Sequence, residues 1–364
     1  PAALRFDEGS RWNNAPLGGR IDAAFAGERL SRLDAAVTAG SNRLNAQGAF
    51  GRRGDRLTFD LDAPQLNLLW PSLRGTLSAQ GGVADTLAPP AVDVRLKADN
   101  LQLPGGIRVD SVRGTADVGN IPATAAARGQ TAGMDLSRAP VKLDVTVEGA
   151  RMADRPDAAL RKGTLVLNGT LADHAGRLDA DFLQNGTAPP ATVKGAFQGS
   201  WGNGGNARQP VGWRGRITEF ASVRDPFGLT LSRPITLSYL PTAVAPAWQW
   251  EAGAADFAVK VPGGETGKVL LAGSRGGQGR WESAGRIEGL AWAPEMLMDA
   301  VSGKPVPPER IVIVDADWNV RFADALQGTA QIRRRSGDLW LPGTPPVALG
   351  LNALGVNLQA TPTG

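Results

Sequence analysis

The sequence predicts an all-β fold, a long and mostly antiparallel sheet with one apolar face and one charged face. Three observations carry this. Apolar and charged residues alternate in runs spread over the whole chain, most plainly in Val92-Asp93-Val94-Arg95-Leu96-Lys97-Ala98-Asp99, and a period of two is the signature of a strand. The 47 Gly and 26 Pro of this 364-residue chain fall between apolar runs rather than in one tract, which reads as turns between many short strands. Helical periodicity is rare.

Taken in order, the first clear strand is Leu57-Thr58-Phe59-Asp60-Leu61-Asp62. Pro64 to Trp70 follows, where Leu66, Leu69 and Trp70 share a helical face before Pro71 ends it, with a strand reading close behind. Further alternations lie at Val141 to Glu148, Leu178 to Phe182 and Trp318 to Phe322. Gly-Thr pairs at 75, 114, 163, 169 and 328 read as strand starts. Asn168-Gly169, Asn185-Gly186 and Asn203-Gly204 supply the positive φ of tight hairpin turns, which favours an antiparallel meander. Residues 119–140 and 184–212 read as long loops. A short helical insertion is expected at about 294–302, with Met296, Leu297, Ala300 and Val301 on one face and Gly303 as its stop. The whole of 1–364 reads as one continuous β segment, an interior piece of a longer protein.

Composition removes most catalytic repertoires. There is no Cys and a single His, His174, so thiolate chemistry and nearly all His-dependent mechanisms are absent, and no cofactor, metal or catalytic residue is expected. Net charge is only +4. The one dense basic cluster, Arg333-Arg334-Arg335, reads as a strand end rather than a nucleic-acid stripe. No run approaches the roughly 18 to 20 apolar residues of a membrane-spanning helix. The Gly-rich segment Gly273 to Gly279 is followed by Arg280-Trp281-Glu282, which continues as strand, so it reads as a turn rather than a phosphate loop. Asp179 with Asp181, and Asp315 with Asp317, lie two apart on strands whose alternate residues are apolar. They read as a solvated face, although a glycosidase pair facing across a cleft is not removed by sequence. The ten Trp, with Trp248 and Trp250 on one strand face, read as core or groove lining, with a carbohydrate platform as the competing reading.

Several phrases resemble the TamB family. They are Leu66-Asn67-Leu68-Leu69-Trp70-Pro71-Ser72-Leu73-Arg74-Gly75-Thr76-Leu77, Asn168-Gly169-Thr170-Leu171-Ala172-Asp173-His174 before Arg177-Leu178-Asp179-Ala180, Trp213-Arg214-Gly215-Arg216-Ile217, and Ala323-Asp324-Ala325-Leu326-Gln327-Gly328-Thr329-Ala330. The resemblance implies a non-enzymatic, AsmA-like bridge protein of the Gram-negative envelope. Such a protein is anchored in the inner membrane through a region absent here, crosses the periplasm and meets a BamA-like outer-membrane protein, TamA, through parts outside this segment. It also implies a role in phospholipid transport and outer-membrane assembly, and an elongated sheet curled into an open U-shaped trough, a β-taco, with an apolar interior. Roughly two dozen strands at about 4.8 Å spacing would make a rod on the order of 100 Å long.

Within that trough the lining is expected to be Phe59, Leu61, Val94, Leu96, Leu143, Val145, Val147, Leu167, Phe182, Val259, Val320 and Phe322, with Arg95, Lys97, Asp144 and Arg321 outside. The expected occupants are phospholipid acyl chains. A structural or adhesive β-rich surface protein, its apolar faces paired into dry sandwiches, is the alternative reading.

Overall fold

In the computed structural model the described residues are 2–84, 91–119, 139–153, 158–184, 190–202, 211–241, 248–261, 265–293, 307–341 and 345–361. The chain is all-β and antiparallel, with one short α-helix among these residues. It divides into two compact units, Pro1–Phe182 and Leu183–Gly364.

The first unit begins with β1 (Ala2–Phe6), β2 (Arg11–Trp12), β3 (Ala15–Ala26), β4 (Arg29–Ala39), β5 (Asn42–Phe50) and β6 (Arg56–Ala63). Helix α1 (Leu66–Leu69) precedes β7 (Arg74–Ala84), β8 (Ala91–Gln102), β9 (Ile107–Val118), β10 (Pro140–Met152), β11 (Ala158–Thr170) and β12 (His174–Gln184). From β3 to β11 each strand pairs antiparallel with the next, β1 pairs with the outer side of β3, and β2 forms a hairpin with its start. The competition at Pro64 to Trp70 resolves as α1. Asn42, 2% exposed, donates to Gln65 O and accepts from Gln65 N, both at 2.9 Å, and Trp12 Nε1 and Asn13 Nδ2 donate to Leu69 O at 3.0 and 2.8 Å. Tertiary hydrogen bonds thus satisfy the ends of a helix too short to persist alone.

The second unit contains β13 (Ala191–Gly202), β14 (Gly212–Arg224), β15 (Phe227–Leu231), β16 (Ile235–Pro241), β17 (Trp248–Ala252), β18 (Ala255–Lys260), β19 (Gly267–Gly277), β20 (Arg280–Trp292), β21 (Val312–Phe322), β22 (Leu326–Ser336), β23 (Trp340–Leu341), β24 (Val347–Ala348) and β25 (Gly355–Ala360). Strands β15 and β16 both pair with β14, and β17 and β18 both pair with β19, so each couple is one long strand interrupted midway. Pro234, which has no N–H to give a ladder, marks the first break. Arg233 holds Asp256 across the breaks at 2.7 Å, and Gly253 N donates to Thr236 O.

Four sequence expectations change. Residues 184–212 are not one loop, because Ala191–Gly202 forms β13, with Gly199 inside it. Its alternation is blurred by glycines that carry neither sign of pattern. The Gly-Thr pairs do not sit at strand starts in general: Gly114 and Gly163 lie mid-strand. Gly328 explains why glycine is used within strands, since its φ is +126° and a Cβ there would lie 2.1 Å from Asn319 O. Gly273 to Gly277 is strand rather than turn. The turn itself is Gln278-Gly279, both at positive φ, as a type I′ hairpin requires. Asn168-Gly169 falls at the end of β11 instead of in the turn that follows. The helix expected at 294–302, the Asn185-Gly186 and Asn203-Gly204 turns and most of 119–140 lie outside the described residues.

Few side chains are fully enclosed. Of the fifteen buried hydrophobics among the described residues, ten are alanines, and only Leu66, Val109, Ile235, Ile311 and Val312 are larger. A small cluster of Ala291, Ala293 and Ile311, packed by Val261 and Ile313, gathers at one end of β20 and β21. Carboxylates fasten the irregular points. Asp55 takes a two-pronged pair from Arg29 at 2.7 and 2.8 Å, and Asp315 accepts from Gly289 N at the β20 bulge while pairing with Arg335. Asp338 accepts from the amides of Leu339, Gly350 and Leu351. All three carboxyls are held below the usual carboxylate range: Asp55 chiefly by the Arg29 hydrogen bond, Asp338 chiefly by the Leu351 amide. For Asp315, burial pushes upward but is outweighed by the Gly289 amide together with Arg335.

A carboxyl whose folded pKa is depressed contributes stability that is fully present above its unfolded value near 3.9 and is lost as pH falls through the folded value. Melting temperature followed by circular dichroism is therefore expected to be flat near neutrality and to fall below about pH 4. Asp338→Asn should lower it at pH 7 and flatten the acid limb. A melting temperature that rises on acidification contradicts this assignment.

Candidate apolar binding face

Side chains opposite one another in an antiparallel ladder lie on the same face of the sheet. Followed from partner to partner in the first unit, the register gives an unbroken apolar row across ten strands: Leu4, Ile21, Ala35, Ala46, Phe59, Gly81, Val94, Ala116, Leu143 and Leu167. Two residues along each strand a second row runs Phe6, Gly19, Val37, Leu44, Leu61, Ala79, Leu96, Gly114, Val145 and Leu165. On the other side of the first, a third runs from Ala2, Ala23 and Leu33 to Val92, Val118 and Val141. A shorter fourth joins Ala63, Leu77, Ala98, Val112, Val147 and Gly163. The rows between them are polar: Arg95 stands beside Gln80 and Thr115, and Lys97 beside Ser78 and Arg113.

Phe59, Leu61, Val94, Leu96, Leu143, Val145, Val147 and Leu167 therefore stand in these rows, on one face of one sheet. Phe182 alternates with Asp181 on β12, and the Arg161–Asp181 pair at 2.7 Å fastens that strand to β11. In the second unit, Val259 opposes Leu229 and Gly267, Val320 opposes Ser283 and Gly328, and Phe322 opposes Trp281 and Leu326. All twelve are half-buried, whereas Arg95, Lys97, Asp144 and Arg321 are exposed. In an ordinary two-layer core the large members would be fully enclosed. Here they are not.

A row that the sequence did not reveal crosses the second unit: Trp201, Trp213, Tyr239, Trp250, Gly276, Trp281, Phe322 and Leu326. These positions sit at one end of their strands. Tyr239 stacks on Trp248 with centroids 4.8 Å apart and planes 9° off parallel, and Trp281 stacks on Phe322 at 6.2 Å. Glycines on neighbouring positions make room for the rings. A Cβ on Gly199 would lie 2.5 Å from Trp213 Cζ2, and one on Gly276 would lie 2.9 Å from Trp250 Cε2. The only sequence signal for the row is the number of Trp, because the intervals between its members are irregular.

The charged face is laced by cross-strand pairs. Arg333 holds Asp317 at 2.7 Å and Arg335 holds Asp315, while Arg334, opposite Val314 on the other face, donates locally to Gly337 O, so the basic triplet serves its own sheet. Two hollows open on this side, about 720 Å³ among Asp34, Asp60 and Arg95 in the first unit and about 880 Å³ among Glu251, Arg275 and Asn319 in the second. A twisted sheet is saddle-shaped, so its two faces are concave along different directions. His174 is buried at the start of β12, with Nδ1 donating to Thr170 O at 3.1 Å, a structural role. Among the described residues no cluster of three or more metal-ligating side chains occurs, and no helix is long and apolar enough to cross a membrane.

Gly199→Ala is expected to displace the Trp213 ring, costing about 1–3 kcal/mol by overpacking and red-shifting the Trp emission. Gly355→Ala, which meets nothing within 4 Å, should leave both the emission and the urea midpoint unchanged. Equal behaviour of the two variants would refute the packing role of Gly199.

Comparison with known families matches residues 11–245 to the family model described as TamB, N-terminal domain. No curated protein and no solved structure matches the chain.

Proposed function

The chain belongs to the TamB family, and on that footing we propose that its apolar sheet faces carry phospholipid acyl chains across the periplasm, between the inner and outer membranes of a Gram-negative bacterium. Proteins of this family act in bacterial envelope transport. An inner-membrane anchor, docking on a BamA-like partner, TamA, and a link to outer-membrane assembly belong to the same proposal, and none of them is placed on a described residue.

The observation that carries the reading is the set of apolar rows in the first unit, two of which cross ten strands with only apolar residues. Moving a phospholipid through water exposes its tails at about 0.8 kcal/mol per CH₂, on the order of 10 kcal/mol for a sixteen-carbon chain. A face of half-exposed aliphatic side chains removes most of that cost. Successive strands offer nearly the same surface, so a tail meets no deep well and no polar barrier as it passes from one strand to the next. Conduction needs that levelness more than it needs affinity. The head group stays in water, and the chemistry is transfer without bond making or breaking, which suits a chain with one buried His and no Cys.

Position-specific photocrosslinking in cells tests this. A photoreactive amino acid in place of Val94 is expected to capture phospholipid, identified by mass spectrometry of the adduct, and the same residue in place of Arg95, on the opposite face, is expected to capture severalfold less. Equal capture at the two positions, or capture at neither, overturns the proposal.

A further inference from the structure

Several large apolar side chains of the first unit are exposed at one end of its strands. That end carries the β2–β3 hairpin, α1, the start of β7, the turn between β8 and β9 and the end of β10. Trp12 and Trp70 are 50 and 64% exposed there, more than any other Trp among the described residues. The Trp12 indole donates to Leu69 O at 3.0 Å, so both rings stand beside the end of α1. Among the described residues no hydrogen bond uses the Trp70 indole. Farther along the same rim, Ile107 and Met152 oppose one another in the ladder and are exposed, and Ala153 N donates to Gly106 O at 3.0 Å, tying the β8–β9 turn to the end of β10. Four strand spacings separate β6, which leads into α1, from β10, about 20 Å in all.

The same rim carries unpaired positive charge. The register sets Arg74, Gln102, Arg108 and Arg151 side by side across β7 to β10. Like charges in neighbouring ladder positions repel, and a carboxylate relieves only one of the three: Asp110 holds Arg151 at 3.2 Å. Arg74 and Arg108 have no carboxylate partner among the described residues. At the hairpin Arg11 is offset by Asp7 and Glu8, nearby in sequence, so the excess lies on β7 and β9. A partner that suits two free guanidiniums flanked by exposed indoles and an exposed Ile–Met pair is anionic at its surface and apolar just beneath. A bilayer with anionic lipids has that layering: indoles favour the boundary between hydrocarbon and water, and phosphates attract guanidiniums at the surface.

We propose that this rim of the first unit rests on an anionic bilayer surface, with Trp12, Trp70, Ile107 and Met152 in the head-group boundary and Arg74 and Arg108 set against lipid phosphates. The contact itself needs only the rim, whereas its purpose rests on the lipid-carrying reading above. Of the apolar rows, that of Ala63, Leu77, Ala98, Val112 and Val147 lies nearest this rim. Leu77 is three positions from Arg74 and Val112 four from Arg108, so a tail leaving the bilayer here meets aliphatic side chains within about 13 Å. Two indoles and two free cations make a peripheral, salt-sensitive contact rather than an anchor.

Flotation of the protein with phosphatidylglycerol-containing vesicles, set against phosphatidylcholine vesicles, tests this. The protein is expected to float severalfold more with the anionic vesicles and to lose that excess at high salt. Arg74→Glu combined with Arg108→Glu should remove the excess, and Trp70→Ser should lower flotation severalfold. Phe25→Ser alters a side chain 63% exposed at the opposite ends of the strands and should change nothing. Melting temperatures equal to that of the parent show that the variants fold. As a second reading on the parent fold, phosphatidylglycerol brominated on its acyl chains should quench a share of the Trp emission that Trp70→Phe removes. No flotation with either vesicle, equal flotation with both, or anionic flotation that survives the charge reversal overturns the membrane contact and leaves lipid carriage standing. A dimer that the same variants dissociate, without flotation, assigns the rim to a second copy and likewise overturns the proposal. Flotation that depends on Arg74, Arg108 and Trp70 while Val94 captures no lipid upholds the contact and overturns lipid carriage.

Discussion

Register is the constraint on which everything else in this chain depends. The side-chain period of a strand is two, so a slip of one residue between neighbours would carry a whole strand's apolar set to the charged side. Across β5 to β11 the ladder is interrupted only between Arg74 and Thr76, at the very start of β7. That regularity lets Phe59, Val94 and Leu143 meet as one row although 84 positions separate the first from the last. The ion pairs of the other face serve the same end. Exposed pairs such as Arg333 with Asp317 are each worth little in stability, roughly 0–1 kcal/mol. They favour one alignment over its neighbours, since a slip would set them against the apolar rows.

The two units use this constraint differently. In the first, the apolar rows are nearly all aliphatic or glycine, and the surface is chemically even from strand to strand. In the second, bulges at Ala196, Leu271 and Ile287 and two interrupted strands divide the rows into shorter stretches, and the six aromatic members of one row, from Trp201 to Phe322, line up at one end of their strands. The first unit thus presents an even aliphatic surface, and the second a surface whose rows are shorter and chemically mixed. Carboxylates secure the irregular points where the ladder alone cannot, with Asp315 at the Gly289 bulge and Asp338 under the turn around Gly350.

Much of the fold is legible in the residue order. Each alternating run identified at Leu57, Val92, Val141, Leu178 and Trp318 lies in a strand, because periodicity is a local property and needs no knowledge of partners. Segments rich in small residues are harder to read. Ala191–Gly202 holds three glycines and two alanines, so its apolar face has little to distinguish it from a loop, and the indole that covers Gly199 comes from the next strand. For a similar reason residue order separates helix α1 only narrowly from strand: Asn42, Trp12 and Asn13, 23 to 57 positions away, provide the bonds that settle it.

By itself the sequence determined which residues of each strand share a face, since that follows from covalent geometry within the strand. It also determined that chemistry based on Cys, or on several His residues, is absent. Only the tertiary structure decided which residue of one strand stands beside which residue of the next. That depends on hydrogen bonds between distant segments, on bulges that shift the count by one, and on glycines that admit a ring from a neighbour. The alternation at the twelve residues from Phe59 to Phe322 needed only the first kind of information. The aromatic row needed the second, because Trp201, Trp213, Tyr239, Trp250, Trp281 and Phe322 have no common spacing along the chain and become a line only when the ladder aligns them.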